Sequence, residues 1–247
     1  MANRRSALRA TGQKIDAFKR DPLKRRLALM ERYGIDLVLD VGANTGQYAK
    51  ILRKAGYAGQ IVSFEPLSTA FSRLARSASH DPRWLAVNLG LGSRDRSATI
   101  HVSGDSQASS LLRMLPLHKE IAPYFSSVGE ESITIRKLDS IWEEHVPAHR
   151  KVYLKIDTQG FEKQVLAGAA QSLPHMQIIQ VEMSIEPLYE GAILVPDMLR
   201  WMQRKGFGLV SLEYGFCHPE TGQMFQVDGI FARPLSDRPE RAVGPGF

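Results

Sequence analysis

The sequence predicts an α/β domain: a mostly parallel seven-stranded sheet with an antiparallel last strand and helices on both faces. Three observations carry this expectation. Short apolar runs that stop at glycine or proline alternate with segments of helical apolar spacing. The alternation recurs along most of the chain. Two strand-like runs, joined by a turn-rich stretch around Pro219 and Gly222, close it as a hairpin, which reverses the final strand.

Residues 36–42 (DLVLDVG) form a short apolar run of the kind a buried parallel strand needs. Tyr48, Ile51, Leu52 and Ala55 then recur at helical spacing over 45–55, and Gly56 and Gly59 end that helix. A second strand, 60–66, stops at Pro66, and a helix over 67–79 carries Phe71, Leu74, Ala75 and Ala78 on one face. The third strand is 84–90. Beyond it the pattern loosens: 97–103 and 133–138 alternate as if paired antiparallel. The Ser/Gly-rich, proline-broken stretch 104–129 reads as a lid or binding loop. Regularity returns with a strand at 152–157, a helix at 161–173, a strand at 178–184 and a helix at 196–205 opening on proline. The closing strands are 208–214 and 226–233. The expected organisation is a basic helical extension (1–34), one domain (35–234) and a flexible tail (235–247).

The formal net charge of +6 is concentrated at the start. Arg4, Arg5, Arg9, Lys14, Lys19, Arg20, Lys24, Arg25, Arg26 and Arg32 face only Asp16, Asp21 and Glu31 there. Without interleaved aromatics or a nucleic-acid motif, this stretch gives no expectation of nucleic-acid binding. It suits a solvated helix that packs over a site or touches an anionic membrane surface as a peripheral contact. The first twenty residues hold no apolar run, so no secretory signal is expected there. The lone Cys217 fits a reducing cytoplasm. Oligomeric state leaves no signature in the sequence.

The chemistry-bearing motif is LDVGANTGQYAK (39–50). Gly42 and Gly46 allow a sharp turn and close approach of a ligand. The spacing is neither GxGxxG nor a Walker loop. SFEP places Glu65 at the end of the second strand, where a carboxylate can accept from both hydroxyls of a ribose. Asp40 suits a cationic sulfonium and its amino-acid tail, acting through a water or backbone amides. Two alternatives stay open at this point: an NAD-dependent oxidoreductase of Rossmann type, and a non-catalytic nucleotide-binding module.

With VNLGLG (87–92), SSL (109–111), LKIDTQGFEKQVLAGA (154–169), VEMS (181–184) and VDGIFAR (227–233) added in order, the chain resembles the FkbM family of methyltransferases over about residues 36–233. The resemblance implies a Rossmann-like class I methyltransferase, S-adenosylmethionine as cofactor, and O-methylation of a small-molecule or glycan acceptor: a sugar, a glycolipid or a natural-product hydroxyl. It further implies that Gly42, Asn44, Gly46 and Gln47 line the methionine end, that Glu65 holds the ribose, that Asn88 lies near the adenine beside Leu89, and that Ser109 and Ser110 approach the cofactor from a loop. Phe161 departs from the family pattern, where a small residue is common.

A hydroxyl is a poor acid, so the reaction calls for a base or a metal. Asp157, Glu182 and Asp228 are expected at one sheet edge. Asp157 and Glu182 are the catalytic candidates, and with Asp228 they form a candidate Mg²⁺ site. Lys155 is expected as a fixed charge nearby. His118 reads as an exposed lid histidine or, less simply, a base, and Met183, Met198, Trp201 and Met202 as core.

Overall fold

The computed structural model describes residues 21–125 and 127–235. The basic residues before position 21 and the tail beyond 235 lie outside the described residues. Helix α1 (Pro22–Arg32) starts on an Asp21 cap whose side chain accepts from the Lys24 amide, with proline in the first turn. The order then runs β1 (Leu37–Val41), α2 (Gln47–Lys54), β2 (Gln60–Phe64), α3 (Ser68–Ala78), β3 (Trp84–Val87), β4 (Gly90–Leu91), β5 (Arg96–Ser103) and α4 (Pro116–Ile121). It continues through β6 (Ser127–Arg136), α5 (Leu138–His145), β7 (Val152–Ile156), α6 (Glu162–Ala167), β8 (Met176–Ser184), α7 (Val195–Arg204), β9 (Gly208–Tyr214) and β10 (Gln226–Ala232).

The main sheet has seven strands in the order β3-β2-β1-β7-β8-β10-β9, and β10 runs antiparallel to both neighbours. Strand order reverses between β1 and β7, and ligands in such sheets bind beyond the strand ends at that switch point. Because side chains alternate across a strand, Leu37, Leu39 and Val41 enter one core with Leu138, Val165 and Met198. Val38 enters the opposite core with Met30, Leu52 and Leu74. Helices α1–α3 thus cover one face and α5–α7 the other, as the sequence predicts. Met183, Met198 and Met202 are buried core residues. Among the described residues no helix is long and apolar enough to cross a membrane.

The two alternating segments outside this sheet do pair. β5 and β6 are antiparallel partners, and β4 joins them as a second, three-stranded sheet. The stretch 104–129 is more ordered than its composition suggests. It contains short 3-10 turns and α4, and it gives its last residues to β6. Its 113–115 part is pinned to 188–190: Leu115 N–H donates to the Leu188 carbonyl and Glu190 N–H to that of Arg113.

The helix expected over 161–173 ends at Ala167. Gly168 is its cap, and a Cβ there would stand 1.9 Å from the Gly92 carbonyl oxygen. Backbone meets backbone at this point, so neither side can yield. Gly168→Ala is expected to lose about 1–3 kcal/mol through overpacking. An unchanged urea midpoint would show that the contact is dispensable.

Candidate active site

After β1 the chain turns through Gly42, Asn44 and Gly46, all left-handed. A Cβ at position 42 would come within 1.8 Å of the Asp157 carbonyl oxygen, so only glycine lets the loops after β1 and β7 close together. The loop amides are spoken for. Gly42 and Ala43 donate to the Phe64 carbonyl, Gly46 donates to that of Ala43, Asn44 N donates to Glu65 Oε2 at 2.8 Å, and Thr45 N donates to Asn44 Oδ1 at 2.8 Å. A dinucleotide pyrophosphate needs such donors free at a helix start. Gly46 itself packs against the Trp84 ring, which a Cβ would meet at 2.7 Å, and it does not reach the ligand cavity.

That cavity, about 420 Å³, opens beyond the ends of β1, β2 and β7. Glu65, Leu67, Leu91, Ile100 and Leu111 line one end, Gly42, Asn44 and Gln47 the middle, and Asp157, Glu182 and Asp228 the other end. Ser106 and Ser109, from the expected lid, complete the wall. Asn44 Nδ2 donates to Ser106 Oγ at 2.9 Å, tying that segment to the glycine loop.

Glu65 is 4% exposed. Its oxygens accept from the amides of Asn44 (2.8 Å) and Leu67 (2.9 Å), and each retains a lone pair. Burial pushes its pKa up to about 7.

Three expected cofactor contacts take other parts. Asp40 is buried below the cavity and does not line it: a strand-interior side chain points into the core, where Asp40 Oδ2 accepts from Ser63 Oγ (3.1 Å). Asn88 is exposed and absent from the wall. Its Nδ2 donates to the carbonyls of Glu65 (2.9 Å) and Pro66 (3.1 Å) and so shapes the turn that presents Glu65. Ser110 faces away and donates to the Gln159 carbonyl at 2.7 Å.

The acidic end is organised by two side chains. Lys155 Nζ lies 3.3 Å from Asp157 Oδ2 and 3.5 Å from Asp40 Oδ1. Gln159 Nε2 donates to Asp157 Oδ1 (2.9 Å) and Glu182 Oε2 (3.0 Å), its Oε1 accepts from Tyr189 Oη (2.7 Å), and its backbone is left-handed at φ 54°. Gln226 Nε2 adds a second bond to Glu182 Oε2 at 2.7 Å. Burial opposes the Lys155 charge, but the facing Asp157 and Asp40 carboxylates outweigh it and hold the lysine protonated. One ammonium cannot balance four carboxyls. Burial, and then Asp157, push Glu182 well above the usual carboxylate range and raise Asp228 as well. Burial thus favours the protonated form at Glu182, as it does at Asp40 and Asp228.

The expected Mg²⁺ set does not assemble. Asp157, Glu182 and Asp228 share a wall, yet among the described residues no three acidic, histidine or cysteine side chains gather closely enough to hold a metal ion. Amide N–H groups and Lys155 already engage both oxygens of Asp157 and Oε2 of Glu182. His118 is neither exposed nor on the wall. It is 1% exposed between Tyr189, Phe125 and Phe216, and burial lowers its pKa to about 4.

Sequence reasoning gave no site role to Gln159, Tyr189 or Gln226, and it placed Arg26 only in a basic helix expected to pack over a site. Arg26 reaches the cavity from α1, pairs with Glu213 and lies over the Tyr48 ring at 5.1 Å. Gln159 lies inside KIDTQGFE and could have been found there, since Gln-Gly following a strand-end acid suits a left-handed turn. Tyr189 and Gln226 carry no local signal.

A switch-point cavity with an acid at the β2 end and a non-phosphate glycine loop defines the class I methyltransferase fold. Within that class the chain belongs to the FkbM methyltransferase family, whose domain model matches residues 40–209. It is 26% identical over 163 residues to the 2-O-methyltransferase NoeI of Sinorhizobium fredii (strain NBRC 101917 / NGR234), covering 64% of this chain and 67% of that protein. Its fold is similar to the crystal structure of Methyltransferase FkbM from Methylobacillus flagellatus KT, with a TM-score of 0.50 and 14% identity over 79% of this chain. The chain spans 43% of that longer protein.

Removing the cation at the centre of this network leaves Asp40 buried without a counter-charge. Lys155→Met is expected to cost about 3–5 kcal/mol of stability. The Asp40→Asn/Lys155→Met double variant should recover much of that loss in urea unfolding. A single variant as stable as the parent would show that the pair contributes nothing.

Proposed function

We propose that this chain transfers a methyl group from S-adenosylmethionine to a hydroxyl oxygen of a sugar or a sugar-like acceptor. The observation that carries the reading is the polarity of one cavity, with a ribose-suited carboxylate, Glu65, at one end and a charged Asp157–Lys155 pair at the other. The name of NoeI, a 2-O-methyltransferase, supports oxygen as the acceptor atom. The lone Cys217 fits the cytoplasm as the site of reaction.

The wall chemistry fits the cofactor. Glu65 has lone pairs for the ribose hydroxyls, Leu67, Leu91 and Ile100 offer an apolar slot for the adenine, and Asn44 and Gln47 suit the polar methionine tail. The amides of the glycine loop are already bonded within the protein, which disfavours the dinucleotide alternative. When bound, S-adenosylmethionine supplies a methyl group on a positively charged sulfur: a carbon–oxygen bond forms, the carbon–sulfur bond breaks, and the hydroxyl proton is left for a base. Asp157 is that base. Its side chain is 36% exposed and can be reached from the cavity, and Lys155 and Gln159 orient it. Glu182, whose pKa burial raises, lies beside it on the same wall. The residues 106–111 on the wall act as a cover that excludes water.

Asp157→Asn keeps shape and removes the base. Methyl transfer to a panel of hydroxylated sugars should fall by about 10²–10⁴-fold, with the affinity for S-adenosylhomocysteine nearly unchanged. Full turnover in the variant would place the base elsewhere.

Glu65 generates a pH prediction. Its pKa is raised to about 7, so it loses its charge as pH falls through neutrality. Calorimetric affinity for S-adenosylhomocysteine should weaken by up to about tenfold from pH 8 to pH 6, and Glu65→Gln should flatten the profile. An equally steep profile in Glu65→Gln would assign the titration to another group.

A further inference from the structure

A second cavity of about 270 Å³ lies on the segment 101–125, whose residues alternate between its wall (Ala108, Ser110, Leu112) and that of the first (Ser109, Leu111). The mechanism above does not use it. Three basic side chains line it, His101, Arg113 and Lys119, and no carboxylate does. His101 is engaged by Glu130 at 3.2 Å, whereas Arg113 and Lys119 make no ion pair among the described residues. Phe125 and Tyr189 contribute aromatic surface. A pocket with two uncommitted cations, an aromatic wall and no acid attracts a small anion attached to a compact ring.

Its position gives this chemistry a purpose. Ser110 and Tyr189 line this cavity, and both bond to Gln159, Ser110 to the carbonyl (2.7 Å) and Tyr189 to Oε1 (2.7 Å). The amide nitrogen of the same Gln159 holds Asp157 and Glu182 in the first cavity. A molecule resting on Tyr189 is therefore one side chain away from the proposed base. The backbone of the segment is anchored at 113–115 to 188–190, which fixes Arg113 relative to Tyr189.

We infer that the second cavity is an anion subsite of the acceptor, and that the acceptor is an acidic sugar whose phosphate or carboxylate is held by Arg113 and Lys119 while a hydroxyl is presented to Asp157. This rests on the methyl-transfer reading for the role of Asp157, and on the cavity alone for the charge of the ligand. Arg113 offers a planar fork that suits either group, and Lys119 adds a point charge.

The test uses the full chain with glucose 1-phosphate, glucuronate and glucose as probes, in calorimetric or ligand-observed NMR titrations, with and without saturating S-adenosylhomocysteine. At least one charged sugar should bind about tenfold or more tighter than glucose, with an advantage that shrinks at high salt. Preference between the phosphate and the carboxylate probe identifies the anion. In Arg113→Gln/Lys119→Gln the advantage should fall by about tenfold while affinity for S-adenosylhomocysteine is kept. The single Lys119→Gln change, at an exposed position, should give a smaller loss in the same direction, and it serves if the double variant folds poorly. Equal binding of charged and neutral sugars, or an advantage that survives both changes, would overturn the inference. Failure of S-adenosylhomocysteine to bind the parent protein would instead strike the methyl-transfer reading, and the titrations without it still decide the charge of the acceptor.

Discussion

The structure is organised around one buried ion pair, Asp40 with Lys155, set across the two central strands of the sheet. Parallel register places Ser63, Asp40, Lys155 and Gln180 side by side on β2, β1, β7 and β8. Aligned residues of parallel strands point the same way, so these polar side chains form a single row through an otherwise apolar sheet. Each is given a partner: Trp84 Nε1 donates to Ser63 Oγ (3.0 Å), Ser63 donates to Asp40 (3.1 Å), and Tyr48 and Tyr153 donate to Gln180 Oε1 (3.0 and 2.7 Å). Charges this deep are costly to desolvate, and hydrophobic replacements would suit stability at least as well. The row leads to the cavity, where the other contact of Lys155 is Asp157. Its position is best understood through the site above it.

That arrangement divides labour among the carboxyls. Lys155 lies against Asp157 and Asp40, and burial still pushes Asp40 above the usual carboxylate range. Glu182 receives amide hydrogen bonds from Gln159 and Gln226, and burial together with Asp157 pushes its pKa well above the usual carboxylate range. Two neighbouring half-buried carboxyls whose surroundings differ are a common source of a base and a donor in one fold. An internal ammonium, that of Lys155, stands among the carboxyls expected to hold a divalent cation.

Gln159 is the joint between this machinery and the segment that covers it. A non-glycine residue in a left-handed conformation persists only where its surroundings hold it. Here the side chain bonds Asp157, Glu182 and Tyr189, and the carbonyl accepts from Ser110. Movement of the Ser110 segment or of Tyr189 is thereby coupled to the orientation of the proposed base.

Much of this was decided locally and could be read locally. Alternating apolar periods determined the strands and helices, because burial on one face or two writes itself into residue spacing. The closing hairpin determined that β10 is antiparallel. Gly42 and Glu65 could be placed at the turn and the strand end that line the cavity, because such positions are properties of a few consecutive residues. Asp157, Glu182 and Asp228 could be placed at one edge once the strand order was known. What only the tertiary structure decided is who meets whom across that edge. Asp40 sinks below the cavity, Asn88 turns outward, Ser110 serves the neighbouring cavity, and Arg26 arrives from a helix outside the family match. Gln226 and Tyr189 reach the site from positions far along the chain. The lack of a side chain at Gly168, the cap of α6, makes room for the Gly92 carbonyl. The physical reason is common to all of them. Periodicity and turn chemistry act between neighbours in sequence, whereas hydrogen bonds, charge pairing and desolvation act between neighbours in space, and those neighbours exist only once the sheet has closed.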